Sequence, residues 1–204
     1  TPLTSSAASD VYKRQATGLE LMQRRSELMA SAGGGAMTAV IGFERSQLDT
    51  LVDATEGVVI ANDNSDAQVV LSGSPEAVNA LSEALTCKRA IPLAVSGAFH
   101  SPFMAKAAES FASHLDSVAF ADARFPVFSN TDPTPSRDAG ELKQRLRRQM
   151  TTGVRWRETM AAMTSSGVDT LVEIGPGNVL SGLAKRAMKG VTTSQLASVG
   201  DLGL

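Results

Sequence analysis

The order of the apolar segments between Ala36 and Val95 limits the fold more than any other feature of this chain. Ala36 to Ile41 is β-branched and apolar, which predicts a strand. Glu44 to Ala54 carries Leu48, Leu51 and Val52 at helical spacing. Gly57 then opens a second strand, Val58 to Ala61, and the cluster Asn62-Asp63-Asn64-Ser65-Asp66 reads as a turn into a third, Gln68 to Leu71. Ser74-Pro75-Glu76 is a helix start, with serine as cap, proline in the first turn and an acid against the helix dipole. Val78, Leu81 and Leu85 supply its buried face, and Arg89 to Val95 reads as a fourth strand.

The resulting order, β-α-β-β-α-β, is the ferredoxin-like pattern, here over residues 34–95. The flanks read differently. Ala16 to Ala32 is a helix with Leu19, Met22 and Met29 on its apolar stripe, ended by Gly33-Gly34-Gly35. After Val95 come a loop, Ser96 to His100, and a helix opened by Ser101-Pro102. A short strand follows at Phe125 to Phe128, then a loop from Ser129 to Ser136. Helices over Ala139 to Met150 and Arg155 to Thr164, a strand at Thr170 to Ile174 and a helix at Val179 to Met188 complete the series. Strands alternating with helices predict parallel α/β packing. The fold class expected is therefore α/β: a partial α/β-hydrolase-like core, built from 16–33 and 96–190, around a ferredoxin-like subdomain. Thr1 to Gln15 shows no period and is expected to be a non-native or disordered leader. Residues 191–204 are expected to form a polar tail.

Composition narrows the function classes. Nineteen Lys and Arg against 21 Asp and Glu give a net charge of −2. That balance lacks the basic excess of a general nucleic-acid binder or a membrane-surface protein. No stretch approaches the roughly 18 to 20 apolar residues of a membrane span. One cysteine, Cys87, and two histidines exclude a disulfide framework and a cysteine-based structural zinc site. A free thiol points to a reducing cytosol.

His100 is the most informative polar residue. It follows a strand and precedes a helix N-terminus, where the helix end favours a neutral imidazole suited to a general base. An ordinary histidine packed under a helix cap is the competing reading. Arg24 and Arg25 lie mid-helix, either on a solvated face or as a guanidinium that grips a carboxylate. Gln149 closes a basic helix and reads as a surface residue. Gly33-Gly34-Gly35 lacks the Lys-Ser/Thr of a phosphate loop and reads as a linker, and Gly175-Pro176-Gly177 reads as a structural turn. A histidine base usually serves a nucleophile, yet none of the serines lies in a Gly-x-Ser-x-Gly elbow.

Five segments in order, "VVIANDNSDAQVVLSG" (58–73), "VSGAFHSPFM" (95–104), "FPVFSNTDP" (125–133), "GVRWRETM" (153–160) and "VEIGPGNVLSGLAKR" (172–186), resemble the malonyl-CoA:acyl carrier protein transacylases. "LMQRRSELM" (21–29) resembles the helix that carries that family's substrate arginine. By this resemblance His100 is the catalytic histidine, and Arg25 binds the malonyl carboxylate. Gln149 orients the histidine through its backbone carbonyl, and Phe99 leaves little room for an α-methyl group. The family's serine, in a Gly-His-Ser-x-Gly elbow, and its Gly-x-Gly-Ser-Gln loop have no match here. The expectation is an N-terminally truncated piece that is inactive alone.

The resemblance implies ping-pong transfer of malonyl from coenzyme A, through an acyl-serine, to the phosphopantetheine thiol of acyl carrier protein in fatty acid biosynthesis. It implies no metal or redox cofactor, no nucleic-acid or membrane partner, and a cytoplasmic monomer. Two alternatives stay open. One is a non-catalytic module that docks carrier protein through Lys143, Arg145, Arg147 and Arg148. The other is an acyltransferase domain cut from a polyketide synthase.

Overall fold

A computed structural model describes residues 5–95 and 97–202, with side chains from residue 14 to residue 201. It is a mixed α/β structure. Helix α1 (Ser5–Ser31) leads into strand β1 (Ala36–Phe43), helix α2 (Arg45–Ala54), strands β2 (Val58–Ser65) and β3 (Gln68–Gly73), helix α3 (Pro75–Ala84) and strand β4 (Cys87–Pro92). These strands form one antiparallel sheet in the order β2-β3-β1-β4. The apolar residues of these strands make its core. Val40, Val58, Val69 and Leu71 project from one face, and α2 and α3 cover them with Leu48, Val78 and Leu81. Ser74 caps α3 by accepting from the Ala77 amide, as its position before Pro75 leads one to expect.

After a turn at Pro102–Met104, helix α4 (Ala105–Asp116) packs on α1. A hairpin of β5 (Val127–Ser129) and β6 (Asp132–Ser136) precedes helices α5 (Ala139–Arg148) and α6 (Trp156–Ser165). Strand β7 (Thr170–Ile174), helix α7 (Val179–Ala187) and strand β8 (Thr192–Leu196) follow, with β7 and β8 paired in parallel. A second core gathers Leu21, Met104, Phe111, Leu115 and Met150. It ties α1 to α4 and to the end of α5 across more than a hundred residues of sequence.

Several boundaries differ from the sequence reading. Helix α1 begins at Ser5 rather than Ala16, so the leader is helical from there, while residues 1–4 lie outside the described part. The run Ser5-Ser6-Ala7-Ala8-Ser9 contains no glycine or proline to stop a helix. Asn62 to Ser65 continue β2 instead of turning. Two register shifts in the β2–β3 ladder absorb these polar residues. Strand β4 runs over 87–92, not 89–95. The segment after Ser129 is not all loop: Asp132–Ser136 pairs with β5, with Pro133 and Pro135 in a two-stranded hairpin whose outer edge tolerates them. The expected polar tail also supplies β8, because the β-branched Thr192 and Thr193 pair well beside β7.

Candidate active site

His100 sits eight residues beyond the end of β4, in the loop that leads to the Pro102 turn, rather than directly at a strand end. Its backbone is left-handed, with φ 56°, the one non-glycine residue with positive φ among those described. Such a conformation costs about 1–3 kcal/mol and persists only where the surroundings fix it. The surroundings here are specific. The Ser101 hydroxyl is buried, donates to the Ala98 carbonyl at 2.6 Å, and accepts from the Phe103 amide. Gly97 and Gly35 let two backbones touch: a Cβ on Gly97 would lie 2.9 Å from the Ala32 carbonyl, and one on Gly35 would overlap Ala98. The glycine linker therefore serves close approach. It brings the C-terminal end of α1 against the histidine loop.

Gln149 completes the arrangement. It follows α5 and is half-buried, not the surface residue that its sequence position suggested. Its main-chain carbonyl lies 2.8 Å from His100 Nδ1. A carbonyl only accepts, so Nδ1 carries the proton and, in the neutral ring, Nε2 holds the lone pair. Its side-chain carbonyl accepts from Arg25 Nη2, also at 2.8 Å. One residue thus holds both the imidazole and the guanidinium. Arg24, one position earlier on α1, turns to solvent and pairs with Glu27.

The electrostatics follow from burial. Desolvation pushes His100 below the usual histidine range, and the neighbouring Arg25 charge pushes the same way. The backbone groups of Gln149 and Thr152 oppose this without reversing it. Desolvation likewise lowers Arg25, which stays a cation at any physiological pH. The site therefore presents a neutral imidazole with a fixed tautomer beside a half-buried guanidinium. It can accept a proton at Nε2 and bind an anion at Arg25. Phe99 packs partly buried between two apolar clusters next to the histidine.

Other candidates resolve differently. The amides of Leu180 and Ser181 at the start of α7, beyond the Gly175-Pro176-Gly177 turn, are taken by the Glu173 carboxylate. Of the basic residues on α5, Arg145 is only 1% exposed and binds the Thr134 carbonyl, Glu141 and Asp132. Lys143 donates to the Val118 carbonyl and lies over the Phe120 ring, and Arg147 pairs with Asp116. Most of that expected docking face is spent inside the fold.

Fold and site together define a mixed α/β protein in which one histidine is prepared as a neutral base beside a fixed cation. The chain belongs to the acyl transferase domain family, whose model matches residues 4–203. It is 48% identical over 188 residues to the malonyl CoA-acyl carrier protein transacylase of Synechocystis sp., covering 92% of this chain and 64% of that protein. The crystal structure of a Synechocystis malonyl-CoA:ACP transacylase superposes with a TM-score of 0.89 at 46% identity, over 92% of this chain and 64% of the other. A malonyl-transacylase in complex with a type II polyketide synthase acyl-carrier protein matches with a TM-score of 0.85 at 35% identity, over 91% of this chain and 63% of its own. The chain thus spans just under two thirds of these relatives' length.

Proposed function

We propose that the protein carrying this chain is a malonyl-CoA:acyl carrier protein transacylase. It moves malonyl from coenzyme A to the phosphopantetheine thiol of acyl carrier protein, for fatty acid biosynthesis. The observation that carries this reading is the double grip of Gln149, which places a tautomerically fixed base and an anion-binding guanidinium at one locus. In this reading a serine hydroxyl attacks the malonyl thioester carbon while His100 Nε2 takes its proton. The carbon–sulfur bond breaks, and the coenzyme A thiolate leaves with that proton. The carrier-protein thiol then gives its proton to His100 and attacks the malonyl-serine, which releases the serine as its hydroxyl. Arg25 binds the malonyl carboxylate in both half-reactions, and the Phe99 ring disfavours an α-methyl branch. The serine is assigned to no residue of this chain, and these 204 residues alone are proposed to be inactive.

We read residues 34–95 as a ferredoxin-like subdomain, supported by the sheet order β2-β3-β1-β4, and 16–33 with 96–190 as part of an α/β-hydrolase-like core. Among the described residues no helix is long and apolar enough to cross a membrane. The proposal places the protein in the cytoplasm as a monomer, with no metal or redox cofactor in the reaction. The test is transfer of labelled malonyl from coenzyme A to phosphopantetheinylated carrier protein by the full-length protein. His100→Ala is expected to lower the rate by about a thousandfold or more. Absence of transfer, or an unaffected variant, overturns the assignment.

A further inference from the structure

The mechanism above makes no use of Asp63. This carboxylate stands on β2, only 7% exposed, between two arginines from different elements. Arg45 of α2 grips it with Nη1 at 3.1 Å and Nη2 at 3.0 Å. Arg157 of α6 grips it with Nε at 3.1 and 3.0 Å to the two oxygens and with Nη2 at 2.9 Å. Burial alone would raise the Asp63 carboxyl, but the bonds from Arg157 and Arg45 outweigh it and hold it below the usual carboxylate range. The outer neighbours are Asp49 and Asp66, 3.1 Å from Arg45 and 3.7 Å from Arg157, with Glu158 also contributing to the local field.

The backbone repeats the link. The Asp63 amide donates to the Val154 carbonyl at 2.8 Å, and the Val154 amide donates to the Ala61 carbonyl at 2.7 Å. Asn62 and Val154 form a parallel bridge outside the named strands. Gly153 permits it, since a Cβ there would lie 2.5 Å from the Ile60 carbonyl. Val154 lies five residues past Gln149, whose main-chain carbonyl holds His100 Nδ1. The segment between them is short: Thr151 and Thr152 fold back on the Arg148 carbonyl, and Met150 is fully buried. A shift at Val154 therefore has little slack in which to dissipate before it reaches the imidazole.

We propose that Asp63 is a positioning residue for His100: clamped to Arg157, it pins the 149–154 segment to the edge of the small sheet and so fixes the imidazole's orientation. The inference rests on the reading of His100 as the base. Arg45 and Arg157 distinguish this role from plain stabilisation. Arg45 belongs to the same subdomain as Asp63, whereas Arg157 crosses to the element that follows the His100-binding segment. Each variant leaves Asp63 one arginine partner.

The experiment compares Arg157→Gln, Arg45→Gln and Asp63→Asn in the full-length protein. The imidazole of His100 is read by nitrogen NMR, its signals assigned by their loss in His100→Gln. Arg157→Gln and Asp63→Asn are expected to mix the two neutral tautomers of His100 and to move its titration toward the ordinary histidine value. They should lower kcat for malonyl transfer by about tenfold with KM little changed, as expected for a misplaced catalytic group. Arg45→Gln should leave tautomer, titration and kcat as in the wild type. Equal effects of Arg45→Gln and Arg157→Gln, or an unperturbed His100 in folded Arg157→Gln, overturn the proposal. The NMR readout needs no turnover. Loss of the transferase assignment would thus show as an inactive wild type, separately from the fate of the clamp.

Discussion

Arg25→Ala should change which acyl group is transferred. In the structure Arg25 Nη2 already donates one bond to the Gln149 side chain, and the rest of its fork is available to a carboxylate. Two charge-assisted hydrogen bonds contribute about 1.5–3 kcal/mol each. Two deductions apply: Arg25 is only half-buried, and the bond to Gln149 competes with substrate. A net contribution of about 3 kcal/mol follows, which at 1.4 kcal/mol per decade is a loss of about a hundredfold or more in kcat/KM for malonyl-CoA. Acetyl-CoA has no carboxylate and leaves the guanidinium unpaired, so its transfer should be unchanged or improved several-fold. The assay is a competition between labelled malonyl-CoA and acetyl-CoA for carrier protein by the full-length protein. The malonyl-to-acetyl ratio is the quantity that decides. An equal fall for both substrates would mean that Arg25 supports the scaffold and not the acyl group. A fall of less than about fivefold for malonyl would refute the energetic reasoning outright.

Three further outcomes follow from the structure. Because burial holds the His100 titration below the usual 6.5, kcat/KM should stay flat through pH 7 and fall only on the acid side of pH 6.5. The same depression acts on stability: between the folded and unfolded values the unfolded chain binds the extra proton, so stability drops as pH falls below about 6.5. His100→Gln should flatten that part of a urea-midpoint profile. Phe111→Ala, at a fully buried position in the core that joins α1, α4 and the Gln149 segment, should cost about 3–5 kcal/mol. A thermal melt that moves by less than a degree or two would show that this core does not hold the site together.

How much of this was legible in the sequence depended on whether the signal was local. The small sheet was legible because its strands are β-branched, apolar runs such as Val69-Val70-Leu71 and because Ser74-Pro75 is a helix start in any context. Its ends were not. Asn62, Asp63 and Asn64 have turn-forming side chains, but pairing with β3 and the bridge to Val154 overrode that preference. Strand β8 was missed for the same reason. Ser194 and Gln195 look like tail residues, and only their partner β7 makes them a strand. His100 stood out by residue type, whereas its left-handed backbone, beside the buried Ser101 hydroxyl, leaves no trace in spacing.

Gln149 shows where such reasoning stops. Its part at the site combines one main-chain atom with one side-chain atom, and the main-chain atom belongs to any residue. From the sequence it is a polar residue at the end of a basic helix, and only the resemblance singled it out. The structure explains the position physically. Helix α5 ends at Arg148, so the Gln149 carbonyl has left the helical ladder and is free to accept from an imidazole. Burial of Met150 on one side and the bridge at Val154 on the other fix where that carbonyl points. The histidine's partner is thus set by a helix terminus, a core methionine and a strand edge, three features that meet only after the chain has folded. The proposed clamp on Asp63 acts on the same segment as that carbonyl, although Asp63 and the histidine lie on different elements.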